Sequence, residues 1–288
     1  ANSIWAREMK EGFVNTAKSV HGAKVGELPK TYRPINTWIE RETGRMIGSM
    51  FDPDQEIDPL TEAILVDTVL FKGSWTDKFD KSRTKTGMFR AIVGISKGTE
   101  SYLYKEREAN FMTKDGKVPV NNHGRTTIVR LDYGSREFCA LFVLPFDSSV
   151  GAMDRAVNGL VTADFKKVLE DLQAHEIMLS IPRFQINWGP SSLVPALRAL
   201  GVNAPFNTLG SFKPISDMPD FHMNSVVHRA TMEVTEGGTV AAAATVSGFD
   251  RYSMPSEITF DRPFLMVILH VATGTPIFLS RINAPELL

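Results

Sequence analysis

Runs of apolar residues with two different spacings divide the chain into predicted strands and helices. Residues 63–73, 126–133 and 137–145 form continuous or alternating apolar runs of strand length, which predicts strands. The first run, AILVDTVLFKG, is rich in Val and Leu, as is typical of a central strand buried on both faces. Residues 257–282 predict two more strands joined by the turn signal ATGT, and residues 176–187 predict a strand whose proline places it at an edge or a bulge.

Apolar residues three and four positions apart predict helices between these strands. Residues 34–51 carry such a face, which weakens near two glycines and consists of Ile35, Trp38, Ile39, Met46 and Ile47. Residues 5–19 predict a helix or a strand followed by a helix, 163–173 a charged helix, and 191–201 a short helix between a serine and a glycine. No repeat or low-complexity linker interrupts the pattern. We therefore predict an α+β fold with large sheets, in a single domain over residues 1–288.

The composition is that of an average globular protein. Of the 288 residues, 43% are hydrophobic and 23% are charged, so a sizeable core is expected. The net charge of −1 gives no reason to expect binding to nucleic acid or to a membrane surface. No window approaches the length of uninterrupted apolar sequence that a membrane-spanning helix needs. Residues 78–85, KFDKSRTK, are locally basic, and we interpret them as a solvated loop in preference to a polyanion site.

Motifs for catalysis and for metal binding are absent from the sequence. The chain has no Gly-x-Ser-x-Gly nucleophile elbow and no glycine-rich phosphate loop. His175 and Glu176 begin like a zinc-protease motif, but Leu179 stands where the second histidine ligand belongs. The single cysteine, Cys139, lies in an apolar run, which predicts a buried thiol and rules out an internal disulfide. We expect neither an enzyme nor a metal or cofactor site.

The segment EGGTVAAAATVSGFDRY, residues 236–252, is unusual because it is apolar but built from small side chains. In an extended conformation its odd- and even-numbered residues face opposite sides, and every side chain from Thr239 to Ser247 is small or β-branched. Gly237 and Gly238 allow backbone angles that other residues rarely adopt. The segment is therefore suited to be a loop in one state and a strand added to a sheet in another.

This pattern resembles the hinge of the serpin family, in which a glutamate, a glycine and a threonine precede a run of alanines. The pattern is matched here by Glu236, Gly238, Thr239, Ala241, Ala242, Ala243 and Ala244. The predicted hinge also includes Val240 and Gly237, which stands at a position where members of the family vary. Residues 35–47, 65–80, 181–207 and 260–285 resemble further family blocks in the same order. The resemblance implies the serpin fold, in which a large mixed β-sheet accepts the reactive-centre loop, here residues 236–255, as an added strand. Smaller sheets and surrounding helices complete that fold, and the family's early helices and one core strand are expected to be missing from this chain.

The resemblance also implies a function, that of a suicide-substrate inhibitor of serine proteases. A protease attacks the loop and forms an acyl-enzyme, the cut loop inserts into the sheet, and the trapped protease is distorted. Family spacing places the cut between Tyr252 and Ser253, which suits chymotrypsin-like proteases of the chymase or cathepsin G type. Two alternatives stay open. A cut between Arg251 and Tyr252 suits trypsin-like proteases, and a non-inhibitory serpin acts as a carrier or chaperone.

Three residues are expected to control the opening of the main sheet. His228 matches the family's histidine beneath the opening, Asp67 stands where an asparagine partner is usual, and Trp75 matches the tryptophan at the top of the sheet. A carboxylate beside the imidazole favours the protonated ring, so sheet opening is expected to depend on pH. We expect a secreted, extracellular monomer, with the cytosol as the alternative location and loop–sheet polymerisation as a hazard of the exposed loop.

Overall fold

The computed structural model of the chain describes its residues in six stretches: 1–96, 102–123, 125–147, 149–207, 212–238 and 256–285. The chain divides into two compact units. The first unit comprises Ala1–Phe71 and Asn187–Met232, and the second comprises Lys72–Ile186 and Glu233–Leu288. The assignment of residues 1–288 to a single serpin domain stays a prediction.

Strands and short helices alternate along the described chain. In order they are β1 (Asn2–Ala6), α1 (Glu11–Ser19), β2 (Lys24–Glu27), α2 (Arg33–Glu42), β3 (Ala63–Phe71), a 3₁₀ turn (Lys81–Arg83), β4 (Lys85–Ile95), β5 (Tyr102–His123), β6 (Thr126–Tyr133), β7 (Phe138–Pro145), α3 (Val150–Val161), α4 (Phe165–Glu170), β8 (Gln173–Pro182), β9 (Phe184–Ser192), α5 (Val194–Ala199), a second 3₁₀ turn (Ala204–Phe206), β10 (Ser225–Val234), β11 (Ser256–Thr259), β12 (Phe264–His270) and β13 (Thr275–Ile282). No helix among the described residues is long and apolar enough to cross a membrane. The α+β class predicted from the sequence is confirmed.

A five-stranded mixed sheet runs in the order β2-β1-β3-β10-β9. Strand β1 is parallel to β2 and antiparallel to β3, whereas β3 and β10 are direct neighbours and parallel. The register of β3 and β10 runs from Ser225 opposite Ile64 to Met232 opposite Phe71. A strand inserted between β3 and β10 would have to replace the hydrogen bonds that join them here.

Both faces of β3 are buried near its start, because successive side chains of a strand point to opposite sides. One face contributes to a core that consists of Trp5, Ile35, Trp38, Ile39, Ile47, Met50, Ile57, Ile64, Val66 and Val227. The other contributes to a core of Ile4, Ala6, Ala17, Val25, Ala63, Phe206, Phe221, Met223 and Val226. From Val69 to Phe71 the strand is only half-buried. The predicted burial on both faces is therefore confirmed for the first half of the strand.

Helix α2 is shorter than the apolar spacing predicts. Its end is set by Gly44 and Arg45, whose φ angles of 59° and 64° lie outside the right-handed helical region. Ile47 nevertheless is fully buried and belongs to the same core as Trp38 of the helix. The spacing therefore identifies the buried side chains correctly but not the end of the helix.

The second unit is built on an eight-stranded sheet in the order β11-β8-β5-β6-β7-β12-β13, with β4 paired to β5 outside this path. Strand β5 has 22 residues and pairs first with β4 and then with β8 and β6. The sequence pattern predicts no strand over residues 85–123, because exposed side chains such as Lys105 and Glu106 interrupt the apolar alternation. Hydrogen bonds to neighbouring strands along its length stabilise β5 despite this weak local pattern.

Helix α3 and the sheet enclose one core cluster of the second unit. This core consists of Ile128, Cys139, Leu141, Val143, Met153, Ala156, Leu160, Leu265, Val267 and Leu269. Cys139 is fully buried, as predicted, and is a free thiol. Burial raises the pKa of Cys139 to about 11. The thiol therefore acts as a small apolar group in the core.

Two stretches that the sequence predicts to be continuous strands are each divided into two strands in the structure. The run 176–187 breaks at Arg183 between β8 and β9, and Pro182 is the last residue of β8. Strand β8 lies between β11 and β5, so the proline ends an inner strand and does not mark an edge strand. The run 257–282 also breaks between β11 and β12, and the ATGT turn joins β12 to β13 as predicted, with Gly274 at a φ of 68°.

Candidate functional site

The described residues include only the first part of the predicted hinge. Glu236, Gly237 and Gly238 are described, together with the sheet residues Asp67, His228 and Trp75. The predicted reactive bond, Tyr252–Ser253, and its alternative, Arg251–Tyr252, lie outside the described residues. So do the remaining predicted hinge residues: Thr239, Val240, Ala241, Ala242, Ala243 and Ala244.

Beyond the end of β10 the chain forms a tight turn, residues 235–238, which we call the hinge turn. Thr235 N donates to Gly238 O at 3.1 Å, and Gly238 N donates back to Thr235 O at 3.0 Å. The hydroxyl of Thr235 also donates to Gly238 O, at 2.8 Å. The turn is therefore closed by three hydrogen bonds between its first and last residues.

A second stretch of the same unit, residues 73–79, donates hydrogen bonds to the hinge turn, and we call it the anchor segment. Trp75 N donates to Gly237 O at 3.0 Å, and Phe79 N donates to Glu236 O at 3.0 Å. The indole Nε1 of Trp75 donates to Thr235 O at 2.9 Å. Each of the first three residues of the turn is thus bonded through its carbonyl to the anchor segment.

Gly238 lies too close to the anchor segment to be replaced without movement. Its φ is 100°, a conformation that residues with a side chain rarely adopt. A Cβ built on Gly238 would lie 2.4 Å from Gly73 O and 2.4 Å from Trp75 N, both of which are backbone atoms. The closed turn therefore requires glycine at this position.

The carboxylate of Glu236 is buried in the same unit, with only 3% of the residue exposed. The hydroxyl of Thr84 donates to Glu236 Oε1 at 2.6 Å, and Arg183 Nε lies 3.6 Å from Glu236 Oε2. Arg183 Nε is buried and has no hydrogen-bond partner among the described residues. The ion pair with Glu236 therefore offsets the free-energy cost of burying the guanidinium charge. Sequence reasoning missed Thr84 and Arg183, although an arginine inside the apolar run IPRFQI was a visible signal for the second.

Trp75 fixes the anchor segment to the end of β6. The indole is 2% exposed and stacks on Tyr133, with ring centroids 4.3 Å apart and planes inclined by 18°. Thr76 N donates to Asp132 O at 2.8 Å, and Gly134 N donates to Ser74 O at 2.7 Å. Trp75 thus lies at the hinge turn, in the second unit.

The other two predicted control residues meet in the first unit. Asp67 of β3 and His228 of β10 are opposite each other in the parallel register, and His228 Nδ1 is in close hydrogen-bond contact with Asp67 Oδ2. Their side chains are 28% and 20% exposed, and the ring of Trp188 lies 5.7 Å from the imidazole. The predicted pairing of Asp67 with His228 is therefore present, and it links the two parallel strands.

Metal chemistry has no candidate ligand set in the stretches that the structure describes. No group of three or more His, Cys, Asp or Glu side chains is arranged there to hold an ion. The arrangement that remains is a conformational one: a glycine-dependent turn, a buried carboxylate and a pair of parallel strands joined by a histidine and an aspartate.

Comparison with known proteins places these features in a family. The family model described as Serpin (serine protease inhibitor) matches residues 1–285. A "Serine protease inhibitor" of Cyanea capillata is 28% identical over 298 aligned positions, which cover 99% of this chain and 75% of the relative. Serpin-ZXA of Oryza sativa subsp. japonica is 28% identical over 88% of this chain and 63% of its own length. Glia-derived nexin of Mus musculus is 29% identical over 99% of this chain and 72% of its own length.

Solved structures show the same fold. Human thyroxine-binding globulin in complex with thyroxine matches with a TM-score of 0.82 at 23% identity, over 99% of this chain and 74% of that chain. Uncleaved ovalbumin matches with a TM-score of 0.81 at 23% identity, over 99% and 76%. Native protease nexin-1 with heparin matches with a TM-score of 0.79 at 23% identity, over 99% and 75%. These likenesses show the fold alone, and they confirm the fold class expected from the sequence.

Proposed function

The chain belongs to the serpin family, and from that premise we propose that it inhibits serine proteases as a suicide substrate. The observation that carries the proposal is the path of the chain after β10. It leaves the strand through a closed glycine turn and continues into a segment of small side chains, while β10 itself is paired in parallel with β3. A segment of this kind is suited to enter a sheet as a strand.

The proposed reaction consumes the inhibitor. The protease serine attacks the carbonyl carbon of Tyr252, the bond to Ser253 breaks, and the Ser253 amine leaves, which gives an acyl-enzyme. The cut segment then enters between β3 and β10 before water hydrolyses the ester. The closed hinge turn must open first, so the bonds from Trp75 and Phe79 to the turn are broken in this step.

Side-chain size separates the inhibitor from the carrier alternative. Insertion has to be faster than hydrolysis, and every position from Thr239 to Ser247 is small or β-branched, so no long or charged side chain opposes it. A carrier does not need fast insertion. Thyroxine-binding globulin, which is a structural neighbour, shows that the fold itself also occurs in a protein that binds a small molecule.

The residue before the cut determines the target. Tyr252 suits the deep apolar pocket of chymotrypsin-like proteases, of the chymase or cathepsin G type. Arg251 is the rival, because a cut one residue earlier would suit the acidic pocket of trypsin-like proteases.

The proposed target also suggests a location. Chymase and cathepsin G act outside the cell, so we propose that the inhibitor is secreted. Recovery of the protein from the medium of expressing cells, and not from their cytosol, tests that location.

The experiment mixes the full chain with chymotrypsin, and separately with trypsin, and follows the products on denaturing gels. We expect a stable high-mass band with chymotrypsin, its loss in a Tyr252→Ala variant, and its persistence in the matched control Arg251→Ala. A high-mass band with trypsin alone, lost in Arg251→Ala, would move the cut to Arg251. Cleavage without any covalent complex would contradict inhibition and favour the carrier.

We further propose that the Asp67–His228 pair resists separation of β3 and β10. Their contact joins the two strands that have to part, so it must break when the segment enters. The rate of complex formation, measured relative to the protease's own turnover of a small substrate, is compared for the parent chain and Asp67→Ala. We expect the variant, which lacks the contact, to form the complex faster, and equal rates would refute the role of the pair.

A further inference from the structure

A small cavity of the second unit lies beside the anchor segment and is lined mainly by charged side chains. Its volume is about 40 Å³, and three basic residues, Lys114, Lys117 and Arg130, line it together with Asp77 and Asp132. This volume exceeds what one water needs and is enough for a single small ion. Counting formal charges, three cations against two carboxylates leave the lining positive.

Lys114 is a half-buried cation whose charge is incompletely compensated. Its Nζ donates to Asp77 O at 2.9 Å and lies 5.4 Å from the centroid of the Phe79 ring. Lys114 forms no ion pair within the stretches that the structure describes. Burial lowers the pKa of Lys114, and the charge of Asp77 only partly opposes this effect. An anion in the cavity would favour the charged form of the amine and so oppose the effect of burial.

Arg130 offers donors to the same cavity. Its side chain is 18% exposed, and Nε donates to Asp132 Oδ1 at 2.7 Å. Its terminal guanidinium nitrogens carry further donors, for which no acceptor is found among the described residues. Asp132 is also approached by Arg136, at 3.9 Å, so one carboxylate is shared between two guanidinium groups. Lys117 is exposed and adds an ammonium group at the same place. The local excess of positive charge is therefore not neutralised by the two aspartates.

We propose that this cavity binds a small oxyanion with two negative charges, of the size of sulfate or phosphate, through Lys114, Lys117 and Arg130. A planar guanidinium group matches two oxygens of such an ion, and ammonium groups on either side supply point charges. The locally basic run 78–85, interpreted from the sequence as a solvated loop, overlaps the end of the anchor segment at Lys78 and Phe79 and adds to the positive potential there.

The same residues hold the anchor segment, which couples the cavity to the hinge turn. Lys114 bonds to Asp77 O, and Asp132 O accepts from Thr76 N. The anchor segment in turn donates to the carbonyls of Glu236 and Gly237. An ion that fixes Lys114 and Arg130 is therefore expected to stabilise the closed hinge turn. Binding itself does not depend on the proposed inhibition, so the two proposals fail separately.

The test measures thermal unfolding in increasing sodium sulfate, with sodium chloride added to keep the ionic strength constant. Sulfate stabilises folded proteins in general, so the comparison is between variants. We expect a saturating rise of Tm for the parent chain.

The rise should be absent in Lys114→Met, reduced in Lys117→Gln, and unchanged in Lys105→Met, a control on the exposed part of β5. Lys117 is exposed, so its variant tests the site even where Lys114→Met fails to fold. Phosphate should reproduce the effect and acetate should not.

Two results would overturn the proposal. An unsaturated rise of the same size in the parent, Lys117→Gln and Lys105→Met would mean a general salt effect. Retention of saturable binding in both Lys114→Met and Lys117→Gln would place the ion elsewhere.

Hydrogen exchange tests the coupling to the hinge turn. At ten times the dissociation constant, the amides of Trp75 and Phe79 should exchange about tenfold more slowly, provided that the open turn does not bind the ion. Unchanged exchange at saturating sulfate would overturn the coupling.

Discussion

Glu236 places a charge where water is almost excluded, and its few neighbours determine whether the hinge turn stays closed. The carboxylate has one hydroxyl donor, Thr84, and one guanidinium group, Arg183, while its backbone carbonyl accepts from Phe79. A buried polar group costs free energy when one partner is removed, since the other is then left without compensation. The identity of residue 236 therefore acts on the closed state itself, before any protease is present.

Substitution of Glu236 by Gln should destabilise the protein by about 1–3 kcal/mol, because the amide keeps the bond from Thr84 but leaves Arg183 without an anion. Chemical denaturation measures the change in the free energy of unfolding. The matched control is Glu233→Gln, a half-buried carboxylate on β10 with no ion pair among the described residues. Equal effects of the two substitutions would mean that the Arg183 contact contributes nothing.

Cys139 should be unreactive in the folded protein. Its thiol is fully buried and its pKa is raised to about 11, so at pH 8 only about one thiol in a thousand is ionised even where reagent reaches it. A colorimetric thiol reagent should detect no sulfhydryl in the native protein and one per chain in guanidinium chloride. Rapid native labelling would show that this part of the core opens readily.

At the scale of elements, the inserting segment should distinguish its two faces. An arginine at one alternate position meets the sheet's interior after insertion, whereas an arginine at the next position faces out. Ala243→Arg and Ala242→Arg therefore form a matched pair with the same charge and size change. We expect one variant to be cleaved without forming a covalent complex and the other to inhibit like the parent chain. Gel densitometry of complex against cleaved chain gives the result, and equal complex yields in both variants would argue against strand insertion.

The elements also show what a sequence can and cannot reveal. Strand β3 and the turn at Gly274 are predicted from local pattern, because apolar runs and turn residues act over a few positions. Strand β5 is not, because its mostly exposed first half lacks an apolar alternation and is held in the sheet by pairing with β4. The same distinction holds for the site. The contact of Asp67 with His228 follows from the family resemblance. Thr84 and Arg183 reach Glu236 across 152 and 53 positions (236 − 84 and 236 − 183). The arginine inside an apolar run signals a buried charge, but no local pattern identifies Glu236 as its partner.

At the scale of the whole molecule, the proposed mechanism requires that the intact form is not the most stable one. A strand of about ten residues adds backbone hydrogen bonds worth ~0.5–1.5 kcal/mol each. In a chain of this size ~1 kcal/mol raises Tm by about 2 °C or more. Limited cleavage of the loop should therefore raise Tm by more than about 10 °C, as measured by circular dichroism. A cleaved protein that unfolds at the temperature of the intact one would indicate a loop that stays outside the sheet, as the carrier reading requires.

The close approach of Gly238 to the anchor segment has a consequence for storage. A single methyl group at this position would meet two backbone atoms at 2.4 Å, so a variant with alanine there has to hold its turn partly open from the moment it folds. Such a protein would lose activity without any protease. During storage its loop would insert spontaneously into its own sheet or into the sheet of a neighbouring molecule. The absence of a side chain at Gly238 therefore limits how fast a stored preparation inactivates.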